Sequence, residues 1–290
     1  MGYSALARWI NSPTNGLDLI TENITKNHHG AYVGKWQLSV RSYRSTFSQI
    51  PGFQIPSERS MFTLTMHEHV YVLLEDPLAP QRSEIIEMPQ GPTASLPSHF
   101  RTTFLSLSPP NALEQLLSQL KARWVPVRQS NAPSRGQNPV AGQQLSVEGA
   151  VFAIGTDWLV RVGNVILTGG AIKGMLLEAE YLPIPVLHSP PGYTSELLSN
   201  LLTSVLPNVP DARMVAITIS DAQWEDVLWD REEEARQQEQ GKKTEDEDDG
   251  DLYVSLDQIV TKRPGDWVGI DRDRRSAFLI IGSLRSEGIL

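Results

Sequence analysis

The chain has 290 residues, 40% of them hydrophobic, which is enough for one large domain or two small ones. It contains no cysteine, so disulfides, thiolate metal sites and cysteine nucleophiles are excluded. The net charge is −9, but fourteen acidic and four basic residues lie between Asp221 and Asp251, which leaves the rest of the chain at about +1. That near-neutral remainder gives no electrostatic signal for nucleic-acid binding.

The first ten residues lack the positively charged start and the long apolar run of a secretory signal peptide. No window approaches the roughly 18 uninterrupted apolar residues that a membrane helix needs. We therefore expect a soluble protein of the cytosol or nucleus.

In the first half of the chain, one helix precedes a run of strands. Leu17, Ile20 and Ile24 recur at helical spacing, and that pattern ends near Gly30. Alternating and apolar runs then predict strands, followed by a second helix, with a loop between the last two strands. In chain order these are a strand from Trp36, strands Met61–Met66 and Val70–Leu74, a loop Pro77–Ser98, a strand Phe100–Leu107 and a helix Ala112–Arg123.

The second half follows a polar segment, Gln129–Gln144, whose composition predicts a loop or a disordered insertion. Three strands are predicted, at Val147–Ile154, at Trp158–Val162 with a continuation towards Leu167, and at Ile172–Leu182. Helices are predicted at Thr194–Leu206 and Asp221–Gln240, and a C-terminal helix through Ala277, Ile280, Ile281 and Leu284. The strands come as hairpins and do not alternate with helices. We therefore predict an α+β fold with an antiparallel sheet.

The domain organisation follows from composition. We predict a single domain over residues 1–240, with flexible loops at about 77–98 and 129–144. Residues 241–251 are an acidic linker that we expect to be disordered. Residues 252–290 form a C-terminal extension that ends in a helix.

His67-Glu68-His69 is the most direct metal candidate, because residues two apart on a strand face the same side. A metal site needs a third ligand, and the sequence offers none nearby. We interpret the three residues as the polar connection of a hairpin in solvent, and we expect no metal site.

Glu178 and Glu180 are also two apart in a predicted strand. Inward-facing acidic pairs hold a divalent metal in tunnel-type triphosphatases. In a site of that type, Arg101 and Arg161 of this chain could bind the phosphates. The sequence shows no second acidic pair in a clear strand. We therefore interpret the two glutamates as the solvent face of a half-buried strand, whose core face is Leu177, Ala179 and Tyr181.

The segment from Asp157 to Val186 resembles the signature region of the Mediator complex subunit 20 family. That region has an Asp with an aromatic residue, a Val-rich strand with a basic residue and Gly, a short hairpin with Gly, and a strand ending in Glu-x-Glu-Tyr. This sequence has Asp157-Trp158, Arg161-Val162-Gly163, Gly174 and Glu178-Ala179-Glu180-Tyr181. Elsewhere in residues 1–240 the resemblance is one of element order. The chain departs from the family in the loops at 77–98 and 129–144, and after Gly241.

The resemblance implies a fold related to that of the TATA-binding protein, with the antiparallel sheet curved into a barrel-like form. It implies no catalysis and no cofactor. It implies a nuclear coactivator in the head module of Mediator. There the chain would form a stable heterodimer with Mediator subunit 18, contact other head subunits and act indirectly on RNA polymerase II. We expect no direct contact with nucleic acid or with a membrane.

Two other function classes stay open. One is a metal-dependent tunnel triphosphatase that uses Glu178 and Glu180, and the other is a DNA-binding saddle, which the near-neutral charge argues against.

The candidate partner-binding residues are Ile184, Val186 and Leu187, which follow the third strand and are interrupted by two prolines. Proline cannot donate to a central strand ladder, so this stretch belongs at a sheet edge, where its apolar side chains suit a protein interface. The alternative is that the three residues only turn the chain into the next helix.

Overall fold

A computed structural model describes residues 3–46, 58–86, 97–119, 123–127, 144–183, 196–218, 227, 229 and 270–290. The strands are β1 (Tyr3–Trp9), β2 (Ala31–Ser45), β3 (Ser60–Met66), β4 (His69–Glu75), β5 (Thr102–Leu107), β6 (Trp124–Pro126), β7 (Gln144–Ile154), β8 (Trp158–Ile166), β9 (Ile172–Tyr181) and β10 (Met214–Ile217). The helices are α1 (Gly16–Asn27), α2 (Arg82–Ile86), α3 (Ala112–Gln119), α4 (Glu196–Val205) and α5 (Ile270–Ser286).

The ten described strands form one antiparallel sheet in the order β10-β1-β9-β8-β7-β2-β3-β4-β5, with β6 also paired to β2. This confirms the predicted α+β class with an antiparallel sheet. The sheet is not closed, because no pairing joins β10 to β5 among the described residues. Three of its strands, β1, β6 and β10, were not predicted from the sequence, and β10 and β1 form one end of the order.

The predicted hairpins are present, and their turns explain the strand register. β8 and β9 are joined through Gly169 and Gly170, whose φ angles of 114° and 86° are accessible to glycine without strain. β3 and β4 are joined by only two residues, His67 and Glu68, because His69 already pairs with Met66. The predicted three-residue connection is therefore one residue too long.

β7 and β8 approach closely where two glycines face each other, Gly149 opposite Gly163. A Cβ on Gly149 would lie 1.9 Å from the carbonyl oxygen of Val162, so no larger residue fits without moving the strand. This close pairing fixes the register of β8, and with it the position of Arg161 two residues before Gly163.

Both faces of the sheet are covered. On one face, Ile20 and Ile24 of α1 and Leu198 and Leu202 of α4 pack in a common cluster with residues of β1, β7, β8 and β9. On the other face, α5 packs in a second cluster through Ala277, Leu279, Ile280, Ile281 and Leu284.

The first turn of helix α5 contains Asp271 and Asp273, and its last turn contains Arg285. Its cluster includes Leu6 of β1 as well as Leu73 of β4 and Phe104 of β5, which lie towards opposite ends of the sheet order. The sheet therefore curves around α5 while remaining open.

The predicted C-terminal helix is thus present, and it is an integral part of the core. The division into a domain, a linker and an extension stays a prediction, since residues 241–251 lie outside the described part of the chain. The candidate partner residues Ile184, Val186 and Leu187 also lie outside it. None of the described helices is both long enough and apolar enough to span a membrane.

Candidate functional site

Glu178 and Glu180 lie on the face of β9 that packs against α5, and each is only 3% exposed. The expectation that they form a solvent face is wrong. Their alternation with Leu177 and Ala179 is as predicted, but α5 covers the glutamate side of the strand. Two carboxylates buried together require cationic and hydrogen-bonding partners, because unpaired buried charge is strongly unfavourable.

Arg161 on the neighbouring strand β8 supplies the first of these partners. It stands directly opposite Glu178 in the strand register. Its Nη1 donates to Oε2 of Glu178 at 3.2 Å, and its Nη2 donates to Oε2 of Glu180 at 3.0 Å. One guanidinium therefore spans both carboxylates, in an arrangement that the sheet register alone creates.

Helix α5 supplies the other partners from above the sheet. Arg272 donates to Glu180 and to Asp273, and the hydroxyl of Ser276 donates to Glu178. Arg275, the next cation along the helix, donates from Nη1 to the carbonyl oxygen of Ser4 in β1 at 2.6 Å. The site is therefore a buried polar cluster built by β1, β8, β9 and α5.

The electrostatics of the cluster favour the charged forms of Glu178 and Arg272. Burial raises the pKa of Glu178. Four neighbouring groups, Arg161, Arg272, the Ser276 hydroxyl and Arg275, together lower it by more than burial raises it, so the pKa lies below its ordinary value. Burial lowers the pKa of Arg272, and the carboxylates of Glu178, Asp273 and Glu180 more than reverse this effect. Both groups are therefore ionised at neutral pH.

The structure separates the two arginines that the sequence suggested for phosphate binding. Arg161 lies on the acidic pair, whereas Arg101 donates to the carbonyl oxygen of Ala79 at 3.1 Å and pairs with Glu84. The strands β2, β3 and β4 contribute apolar side chains to the cluster that includes α5. These are Leu38, Val40, Phe62, Leu64, Tyr71 and Leu73.

His67 and His69 lie in the β3–β4 hairpin, as predicted. Within the described ranges, no three or more His, Asp or Glu side chains converge as a ready-made metal site.

Sequence reasoning missed Arg272, Arg275 and Ser276. The C-terminal helix was predicted from its apolar residues, and the arginines on its polar positions gave no signal of which strand they would meet. The one available clue was chemical: two glutamates on one strand face require cations, and Asp271–Arg275 is rich in arginine.

No protein-family model matches the chain, and no curated protein matches it. Solved structures do match. A putative adenylate cyclase from Vibrio parahaemolyticus is 8% identical, with a TM-score of 0.32 over 70% of this chain and 88% of that one. A putative adenylyl cyclase from Hippeastrum, described as having a dominant triphosphatase activity, is 9% identical, with a TM-score of 0.32 over 73% and 93%. The Mimivirus capping enzyme triphosphatase is 11% identical, with a TM-score of 0.25 over 72% and 90%.

These findings correct the resemblance to Mediator subunit 20 and the non-enzymatic coactivator function that it implied. No family model supports that membership, and the three solved structures named above are those of triphosphatase or cyclase-like proteins. The expectation that the chain is not an enzyme is corrected with it. Because all three TM-scores lie below 0.5, the function has to be argued from the residues of the site itself.

Proposed function

We propose that the chain binds a triphosphate together with a divalent cation at Glu178 and Glu180, and that it hydrolyses the terminal phosphate. One observation carries the proposal: the two carboxylates lie side by side on one inward face, with the guanidinium of Arg161 across both. A polyphosphate site needs both components, oxygen ligands for the cation and arginines for the phosphate oxygens.

The residues present fit a cation of the magnesium type. Magnesium is commonly held by one or two protein carboxylates, with substrate phosphates and waters completing its shell. Glu178 and Glu180 supply two carboxylates, which agrees with the lack of a larger acidic cluster in the described part of the chain. When bound, such a cation would neutralise charge on the phosphate oxygens.

The arginines of the site would hold and orient the phosphates. Arg161 lies on the sheet side, and Arg272 and Arg275 lie on the helix side. Enzymatic phosphoryl transfer depends mainly on positioning and electrostatic stabilisation, and guanidinium groups on both sides of the site can supply both. Addition of water across the terminal P–O–P linkage then yields inorganic phosphate and a diphosphate.

Access to this site requires movement of α5. Arg272 and Ser276 occupy the carboxylates in the described conformation, and the carboxylates are almost fully buried. The N-terminal turns of α5 must therefore shift away from β9 before a triphosphate can enter.

A barrel-like curvature of the sheet belongs to the same proposal. Its support is the packing of α5 against both β1 and β4, which gives the sheet an interior in which a ligand could be enclosed. The expected relation to the TATA-binding protein stays a prediction.

The test is phosphate release by the full chain from inorganic triphosphate and from ATP, with magnesium and with manganese. We expect release by the wild type and a loss of at least about a hundredfold in Glu178→Gln and Glu180→Gln, since each removes a cation ligand. Ser276→Ala should raise the rate, because it removes a contact that holds α5 over Glu178.

Leu176→Ala is the matched control. Leu176 lies two residues before Glu178 on the same face and is fully buried, so its truncation destabilises the protein while leaving both carboxylates in place. It should retain most of the activity at temperatures where all variants are folded. No release by the wild type with either cation, or equal losses in Glu178→Gln and Leu176→Ala, would show the proposal to be wrong.

A further inference from the structure

A second candidate site, whose lining includes neither Glu178 nor Glu180, lies at the gap between the two ends of the open sheet. A cavity of about 490 Å³ is bounded on one side by Arg8 and Val215, and on the other by Leu73 and Thr102. The C-terminal half of α5, including Phe278, forms its third wall. This volume is in the range of small-molecule pockets in proteins.

Arg8 is a buried cation in the lining of this cavity, and its hydrogen-bonding donors are not all paired in the described part of the chain. It is 1% exposed, and its Nη2 donates to the carbonyl oxygen of Lys173 at 2.6 Å. Its Nη1 is in an ion pair with Glu287, and its Nε has no hydrogen-bond partner in the described part of the chain. Burial lowers the pKa of Arg8 by more than Glu287 raises it. A single carboxylate therefore compensates this buried cation incompletely.

The other arginine of the cavity differs in this respect. Arg285 donates from Nη1 and Nη2 to the two carboxylate oxygens of Glu75, at 2.6 and 2.7 Å, and lies over the ring of Phe62. Its charge is thus matched within the protein, and Arg8 is left as the anchor for an external anion.

Glu287 has the position of an internal substitute for such an anion. It follows the last residue of α5, and its side chain is 26% exposed while that of its partner Arg8 is buried. A residue just past a helix end can leave the ion pair without disturbing the core.

We propose that this cavity binds a small amphipathic anion, whose carboxylate or phosphate head pairs with Arg8 in place of Glu287. The apolar body of the ligand packs against Leu73, Val215 and Phe278, which line the same space. The site is independent of Glu178 and Glu180, and no metal takes part.

Calorimetric titration of the full chain with decanoate and with decyl phosphate tests this proposal, with decanol as the uncharged probe. Arg8→Gln should weaken the binding of both anions by at least about tenfold, because a charge-assisted hydrogen bond is lost. Glu287→Gln should strengthen it by about threefold or more, because the competing carboxylate is removed. The anion that binds more tightly identifies the head group. Glu22→Gln, on the exposed surface of α1, is the control and should bind as the wild type does.

Equal binding of decanol and the two anions would overturn the proposal, as would the absence of anion binding to both wild type and Glu287→Gln at millimolar concentration. If Arg8→Gln does not fold, the comparison of wild type with Glu287→Gln decides: tighter binding supports the proposal, and unchanged binding overturns it.

Discussion

Burying two glutamates on one strand is tolerated here because β8 and α5 supply cationic and hydrogen-bonding partners to both carboxylates. Arg161 is fixed by the β8–β9 register, and Ser276 and Arg272 are fixed by the apolar packing of α5. Such a cluster is expected to act as a unit, because removing one charge leaves the others buried without full compensation. Replacing Glu178 by glutamine should therefore destabilise the protein by about 3 kcal/mol at neutral pH.

The same residue predicts an acid dependence of stability. The folded pKa of Glu178 lies below its ordinary value of 4.5, so its stabilising contribution is complete above that value and is lost as the pH falls through the folded pKa. Asp76 acts in the same direction: burial raises its pKa, but His99, the Leu78 amide and Arg59 lower it below 3.8. We expect the free energy of unfolding to fall steadily below a pH of about 5.

Urea unfolding at several pH values between about 7 and 3.5 measures this dependence. In Glu178→Gln the fall should be shallower than in the wild type, with the remaining slope due to Asp76 and other carboxylates. Parallel curves for the two proteins would mean that Glu178 is not stabilised by its ion pairs.

At the scale of elements, sequence patterns predicted those helices and hairpins whose contacts lie between residues close together in the chain. The turn at Gly169 and Gly170 and the alternation of the flanking strands were sufficient for the β8–β9 hairpin, since both strands are adjacent in sequence. β1 gave no comparable signal. Its residues include three small ones, Ser4, Ala5 and Ala7, and its partner β9 lies about 170 residues further along the chain. Only that long-range pairing makes Tyr3–Trp9 a strand and places Arg8 in the interior.

Helix α5 offers a pair of substitutions with opposite expected effects. Gly282 lies inside the helix, and a Cβ there would meet nothing within 4 Å. Gly282→Ala should therefore stabilise the protein by about 0.5–1 kcal/mol through the higher helix propensity of alanine. Ile280→Ala, two residues earlier and fully buried, should destabilise it by about 2–4 kcal/mol because it leaves a cavity against the sheet.

Thermal and urea unfolding of the two variants beside the wild type provide the measurement. A destabilised Gly282→Ala would indicate that the helix is not formed at this position. A neutral Ile280→Ala would indicate that α5 does not pack on the sheet.

At the scale of the whole molecule, the curved sheet leaves an interior that α5 occupies, together with Val227, in the described part of the chain. The acidic pair was therefore recognisable from the sequence as two carboxylates sharing one strand face, but its burial was not. That burial depends on α5, about 100 residues away in the sequence, which enters the curve of the sheet.

This architecture predicts that α5 and the sheet unfold in one cooperative transition. The helix is tied to β9 by Arg272 and Ser276 and to β4 by Arg285, and between these contacts it shares one apolar cluster with the strands. Releasing it alone would expose the apolar residues Leu38, Val40 and Leu64 to water, which is unfavourable by roughly 25 cal/mol per Å² of apolar surface. Partial opening at neutral pH should therefore be limited to the first turns of α5.

Hydrogen exchange followed by mass spectrometry at increasing urea concentration can distinguish cooperative unfolding of α5 and the sheet from separate unfolding of α5. Peptides from residues 275–286 of α5 and from 158–181 of β8 and β9 should lose protection at the same urea concentration, and circular dichroism and tryptophan fluorescence should give coincident transitions. Arg285→Gln should lower both midpoints together, because it weakens the contact with Glu75 that joins helix and sheet. Loss of protection in the α5 peptides at a clearly lower urea concentration would instead identify residues 270–290 as a separately folding extension, bound to a sheet that is stable without it.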